Sequence, residues 1–570
     1  MKFQFKLLAL ILAILMLLCS CDIPLEQGTN ASTDTETESV VTTAAETEEE
    51  TESESEESTY RQSISRSREE LESMLTISDE IFTEAESQLV HFEEAALSST
   101  DVDAINEIYE DFEEMYDYVS TQVSVASIIY YLNMSDEAAY ERYNQNYEKY
   151  GDMYDSYMAH CKKVYLESAV RDELFADWTE EEIKMLLNFS PESTELQLKN
   201  DELTNEINNL PSYEFTDKSA KLYAEIVTNN NRIAELAGYD NYYDYATKEI
   251  YGRDFGQAEL DIFCQMVADE YIPRYESLYN RLIAILMRAS EKESAELNSY
   301  MYDPFDSLPE NYLLGYIESL DGSMKEGMQH VFVNRNMIFS DAPNSHPTAF
   351  QTYLDDFEMP FCLFGSEGQS TSTMVHEIGH YYSSLYNSNL FSYDLAEVQS
   401  QGNEMLLLNY LKDHLSPKLY NSVTLYNMYS NITTIISCVI VDEFERRVYA
   451  LDSVEGYGSE EFDAIMESVC EKYGGSEFIS QNMGDMNDYW RQVATNNPVY
   501  YISYAVSMTS ALTIYAEVEE DRDAGREMYR AVVEDVSDED TFLTGIEKAG
   551  ITSPFDPETT ARIVAVVFGE

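Results

Sequence analysis

The sequence predicts a mainly α-helical protein, and three observations carry that expectation. Over the stretches 67–92, 103–129 and 135–166, Leu, Met, Tyr, Glu and Lys recur at the spacing that gives a helix one apolar face. Glycine and proline are scarce, 21 and 13 in 570 residues, which leaves little turn chemistry for many short strands. Strand candidates are correspondingly few: Val331-Phe332-Val333, and the run Met359–Phe364 closed by Gly365.

In chain order, the first element is an address. Lys2 and Lys6 precede an unbroken apolar run over 7–19, too short to span a bilayer comfortably and suited to a signal-peptide core. The run ends in Leu18-Cys19-Ser20-Cys21, which resembles the lipobox of bacterial lipoproteins. That resemblance implies a signal peptide over 1–20, lipidation at Cys21, and an extracytoplasmic protein anchored by lipid to the bacterial cell membrane. Residues 21–59 follow as an acidic tether. They hold thirteen Asp and Glu, no Lys or Arg, and many Ser and Thr, so they bury too little apolar surface to offset the entropy of ordering.

Residues 60–200 read as an N-terminal helical domain and 201–570 as a second helical domain. The chain's 44% hydrophobic and 12% aromatic content supports a large core. The formal charge of −74, from 34 Lys+Arg against 108 Asp+Glu, excludes nucleic acid and argues against any direct hold on anionic membranes; the lipid is the only membrane contact expected. Five cysteines lie in the body, irregularly spaced and without a CxxC, and read as buried thiols rather than disulfides or zinc ligands. The stretch 492–516 carries no charged residue, yet Asn496, Asn497, Ser503, Ser507, Thr509, Ser510 and Thr513 are too many polar groups for lipid. It reads as a helix inside a large core.

Chemistry enters with His376-Glu377-Ile378-Gly379-His380, inside a helical stretch over 372–386. The i, i+4 spacing puts both imidazoles on one helix face, where two neutral ring nitrogens can hold one Zn²⁺. Glu377 follows the first ligand in the general-base position of an HExxH motif. A third ligand is expected from the next helical run, where Asp394, Glu397 and Glu404 are candidates. Glu397 and Glu404 are seven apart and share a face; Glu397, nearer the turn, is the better placed. The remaining histidines upstream, His330 and His346, read as surface or packing residues.

The pair HEIGH and AEVQSQGNEMLL resembles the M3 family of zinc metallopeptidases, the oligoendopeptidase F and thimet oligopeptidase group. The segment 232–246 and the tyrosine-rich run from Val499 to Ala505 resemble further parts of that family. The resemblance implies a zincin-type fold with a small β-sheet beside the HExxH helix and a deep channel between helical halves. It implies one Zn²⁺ on His376, His380 and Glu397, Glu377 as base, and Tyr504 and Tyr501 as phenols that meet substrate and oxyanion, with Tyr500 less favoured. It places the strand Met359–Phe364 against the substrate backbone, with Phe361 and Leu363 as substrate-binding residues. The implied activity is a zinc-dependent endopeptidase hydrolysing oligopeptides outside the cytoplasmic membrane, working as a monomer. Two departures stand out. The spacing from His380 to Glu397 is short for the family, and no histidine follows His414, so a transition-state donor is missing or replaced, with Asn496 and Asn497 in its region. That absence keeps open a catalytically weak or inactive peptide-binding lipoprotein of the same fold.

Overall fold

A computed structural model describes residues 60–569 apart from 177, 179, 189, 303–311, 341, 367 and 388–391. The signal peptide, the acidic tether and Cys21 lie outside the described residues. The architecture is helical with one small sheet, as the residue pattern requires.

Three long helices open it: α1 (Asp79–Ser98), α2 (Val102–Tyr131) and α3 (Glu137–Glu167). Asp101 and Asp136 start the second and third, their carboxylates accepting the backbone N–H groups of Ala104 and Ala139. One stripe of each helix meets in a shared core, where Phe92, Tyr109, Phe112 and Tyr157 pack and Phe112 stacks on Tyr157. The far end of α2 leaves this core and lays Val125, Ile128 and Ile129 on the sheet. Next come α4 (Pro191–Asn208) and α5 (Ser212–Leu236). The domain boundary expected at 200/201 falls inside α4, where buried Asn200 donates to Asn230 of α5 and accepts from Asn229.

The sheet has the order β1-β3-β2. β1 (Met337–Phe339) runs parallel to β3 (Met359–Phe364), with Met337 opposite Cys362; β2 (Ala349–Leu354) runs antiparallel, with Phe350 opposite Leu363 and Thr352 opposite Phe361. The central strand β3 is apolar on both faces because both are covered. Phe361 and Leu363 point into the cluster formed with α2, while Cys362 and Phe364 point into the main core. Both residues are 0% exposed and on the face turned to α2, and β3 has a neighbour on each edge. The expectation that Phe361 and Leu363 bind substrate, on a strand free to pair with it, is therefore corrected. They are core residues, and of the two strands at the sheet's edges it is β2 that packs against the HExxH helix.

From β3 the chain enters α6 (Thr371–Ser384), capped by the Ser370 hydroxyl, which accepts from the Thr373 N–H. Then follow α7 (Tyr393–His414), α8 (Pro417–Tyr449), α9 (Met486–Asn496), α10 (Ile502–Glu520) and α11 (Arg522–Glu534). Within the uncharged stretch, α10 is buried on all sides, and four of its hydroxyls are satisfied by its own backbone. Ser507, Thr509, Ser510 and Thr513 each donate to the carbonyl four residues earlier. That is how so many polar residues can lie in a core, and among the described residues no helix is long and apolar enough to cross a membrane.

Candidate active site

The site forms where α6 and α7 touch. Gly379 permits the contact: a Cβ there would lie 2.8 Å from the Cα of Ser400 and 2.9 Å from the carbonyl oxygen of Gln399, both backbone atoms of α7. Polar bonds hold the two helices in register. Asn403 donates to the Val375 carbonyl at 2.7 Å and accepts from Tyr316 at 2.5 Å, and Ser383 donates to Gln399.

Across this contact, one ligand atom each from His376, His380 and Glu397 lie within 4.8 Å of one another. Oε2 of Glu397 stands 3.4 Å from Nε2 of His376 and 3.7 Å from Nε2 of His380. Glu404, one heptad further along α7, meets the opposite side of His376: its Oε1 lies 2.8 Å from Nδ1, while its Oε2 accepts from Ser372 at 2.9 Å. A proton on Nδ1 directed at Glu404 leaves Nε2 as the lone-pair nitrogen facing Glu397, the arrangement of an outer carboxylate that orients a ligating imidazole. Glu404 thus meets the far side of His376 rather than joining the three-donor group. Asp394, the other candidate, is withdrawn altogether. It pairs with Arg253 at 3.3 Å, and both side chains are fully buried.

Electrostatics follow from burial. Desolvation pushes the Glu397 carboxyl up, but His376, His380 and the Tyr500 hydroxyl outweigh it and hold the pKa down to about 2. Burial pushes His380 down to about 4 against the pull of Glu397. Glu377 is fully buried on α6, with the thiol of Cys362 beneath it donating weakly to its carbonyl at 3.8 Å. Two imidazoles and the Glu397 carboxylate form a donor set suited to Zn²⁺, with buried Glu377 on the same helix and half-buried Glu404 beside His376. The residues present fit the metal that the motif implies.

The tyrosine run forms one wall. After α9 the chain turns at Val499, whose φ of +67° is rare for a β-branched residue and costs on the order of 1–3 kcal/mol. The turn delivers Tyr500 to the site, where its hydroxyl donates to Oε1 of Glu397 at 2.8 Å. The Tyr504 hydroxyl lies 3.4 Å from that of Tyr500, and the Tyr501 ring packs 5.8 Å from Tyr504. All three are buried. The sequence ranks Tyr500 last of the three, and the structure gives it the contact with the ligand set. Asn496 is engaged elsewhere, bonded to Asn208 of α4 at 2.9 Å and to the Gln492 carbonyl, so it does not stand in for the missing histidine. His330 bonds the Tyr381 hydroxyl at 2.7 Å, and His346 packs between Tyr131 and Phe350.

A helical protein with a three-stranded sheet, in which an HExxH helix and a carboxylate helix converge on one donor cluster, has the architecture of a metallopeptidase. Residues 361–535 match Peptidase family M3, and residues 79–188 match the Peptidase M3 N-terminal domain. The fold is shared with solved structures. PZ peptidase A, solved with an inhibitor, superposes with a TM-score of 0.67 at 14% identity, covering 85% of this chain and 96% of that one. A protein described as an oligoendopeptidase F from Bacillus anthracis str. Ames gives 0.65 at 15% identity, covering 85% and 95%. The oligoendopeptidase-F of Enterococcus faecium gives 0.53 at 13%, covering 86% and 98%. No curated protein matches the chain by sequence.

Proposed function

We propose that the protein is a zinc-dependent endopeptidase that hydrolyses oligopeptides outside the cytoplasmic membrane, held there as a monomer by lipid on Cys21. The observation that supports it most is the donor cluster of His376, His380 and Glu397 with buried Glu377 on the same helix. When bound, Zn²⁺ supplies Lewis acidity, polarising a peptide carbonyl and making water more acidic. Glu377 takes a proton from the attacking water and passes it to the departing amine. Tyr504 and Tyr501 donate phenol protons toward the oxygen that gains charge. Glu404 keeps His376 in the tautomer that presents Nε2. The apolar leader over 7–19 and the acidic, Ser/Thr-rich composition of 21–59 support a location outside the cytoplasmic membrane.

The rival reading, a peptide-binding lipoprotein with little turnover, is favoured by one observation: no histidine follows His414, and of the two asparagines in its region Asn496 is engaged with Asn208, leaving Asn497 as the candidate replacement. Loss of one oxyanion donor lowers rate by roughly 10²–10³. Mass-spectrometric analysis of a mixed peptide library distinguishes the two. The endopeptidase reading expects internal cuts that vanish with a zinc chelator and in Glu377→Gln. Peptide retention by the zinc-loaded protein without any cut supports the rival.

A further inference from the structure

Tyr500 has a role that its place among 45 tyrosines conceals. We infer that Tyr500 is a positioning residue for the metal-ligating carboxylate: by occupying Oε1 of Glu397 it leaves Oε2 as the one oxygen presented to the metal. The inference rests on the proposed zinc site, and the geometry that leads to it is independent of the metal. The Tyr500 hydroxyl donates to Oε1 at 2.8 Å. Oε2 points the other way, 3.4 Å and 3.7 Å from the two Nε2 atoms, with Ser400 donating to it at 3.1 Å. A carboxylate whose two oxygens are addressed by different partners cannot rotate without losing one of them.

The phenol is itself held from three directions. Its ring packs against Tyr251, Tyr393 and Tyr504 at centroid distances of 5.9, 5.8 and 5.2 Å. Its backbone hangs from the left-handed turn at Val499, whose N–H donates to buried Glu445 at 2.8 Å, while the Pro498 carbonyl accepts from Tyr251 at 2.8 Å. Arg253 completes the brace. Its guanidinium reaches the Tyr500 carbonyl at 3.4 Å and Ser503 at 3.0 Å while pairing with Asp394, one helical turn before Glu397 on α7. One buried cation therefore ties the helix that carries the ligand to the turn that carries the phenol. A left-handed valine persists only where its surroundings over-determine it, and here they fix the hydroxyl that orients the ligand.

The test measures metal binding, with full-length protein from which the lipid signal is cleaved, in wild type, Tyr500→Phe and Val499→Gly. Zinc affinity is read by competition with a chromophoric chelator, coordination by the visible absorption of the cobalt(II)-substituted protein, and folding by the melting temperature of the metal-stripped form. Wild type is expected to bind one equivalent. Tyr500→Phe is expected to keep that stoichiometry and the metal-free melting temperature but bind zinc about 10–100-fold more weakly, the usual loss for an outer-shell partner. Its cobalt bands should weaken as Glu397 becomes free to offer both oxygens. Val499→Gly keeps the phenol in a turn that glycine adopts freely, and should stay within about threefold of wild type. Affinity within twofold of wild type and an unchanged cobalt spectrum in Tyr500→Phe would overturn the inference, as would a Tyr500→Phe loss matched by an equal fall in the metal-free melting temperature, which would assign the effect to folding. A wild type that binds no zinc would instead overturn the site itself.

Discussion

Gly379→Ala is the sharpest single perturbation of the site, because it adds one methyl where two backbones meet. The new Cβ would sit 2.8 Å from Ser400 Cα, 2.9 Å from Gln399 O and 3.2 Å from Asn403 Cβ. Carbon atoms in contact settle near 3.5–4.0 Å, so α6 and α7 must separate by roughly 0.7–1 Å. Overpacking of that kind costs about 1–3 kcal/mol, and the better helix propensity of alanine returns about 1 kcal/mol. Net stability should fall by no more than about 2 kcal/mol, and the protein should fold. Function should fall much further. His380 is the next residue on α6 and Ser400 lies one turn from Glu397, so the separation acts directly on the ligand spacing. A misplacement near 1 Å costs on the order of 10² in rate. The assay is kcat/KM on an internally quenched peptide, with thermal melting run on the same samples. Activity within threefold of wild type, at unchanged melting temperature, would refute the argument that this close approach sets the site.

Other expectations follow from the same contacts. Glu404→Ala removes the carboxylate at Nδ1 of His376 and should weaken zinc binding about 10–100-fold with one equivalent still bound, read by chelator competition. Arg253→Met leaves Asp394 buried without its cation, and denaturant unfolding should show a loss of about 3–5 kcal/mol. His346 is neutral in the fold, pushed down to about 4 by burial, while the unfolded chain takes up its proton near 6.5. Its contribution is thus complete above pH 6.5 and lost as pH falls toward 4, by at most roughly 3 kcal/mol. His346→Phe should flatten the stability profile over that window, and an unchanged slope would show that the imidazole does not contribute it.

How much of this was legible in the sequence differs from residue to residue. His376 and His380 are one turn apart on a helix, so periodicity alone puts them together. Glu397 and Glu404 share a face for the same reason, but which one meets Nε2 and which Nδ1 depends on where α7 crosses α6, a tertiary fact. Asp394 could not be set aside from sequence, because the cation that neutralises it, Arg253, lies 141 residues upstream. The faces of β3 were illegible for a different reason. A strand buried on both sides loses the two-residue alternation that marks a face, so Phe361 and Leu363 looked no different from Cys362 and Phe364. Tyr500 was hidden by its turn: nothing in the residue types announces a left-handed valine, and without it the register of the tyrosine run cannot be drawn. The burial of α10 was readable, since its hydroxyls are those a helix can satisfy internally.

The most direct measurement is reactivation by metal. Protein stripped with a chelator is titrated with Zn²⁺ while cleavage of an internally quenched peptide is followed, with His380→Ala and Glu377→Gln alongside. The account predicts activity that rises linearly and breaks at one equivalent in wild type. His380→Ala should need far more zinc, and Glu377→Gln should take up one equivalent yet cleave at least 10²-fold more slowly. Stripped protein that cleaves at the full rate, or a Glu377→Gln variant as active as wild type, would contradict it.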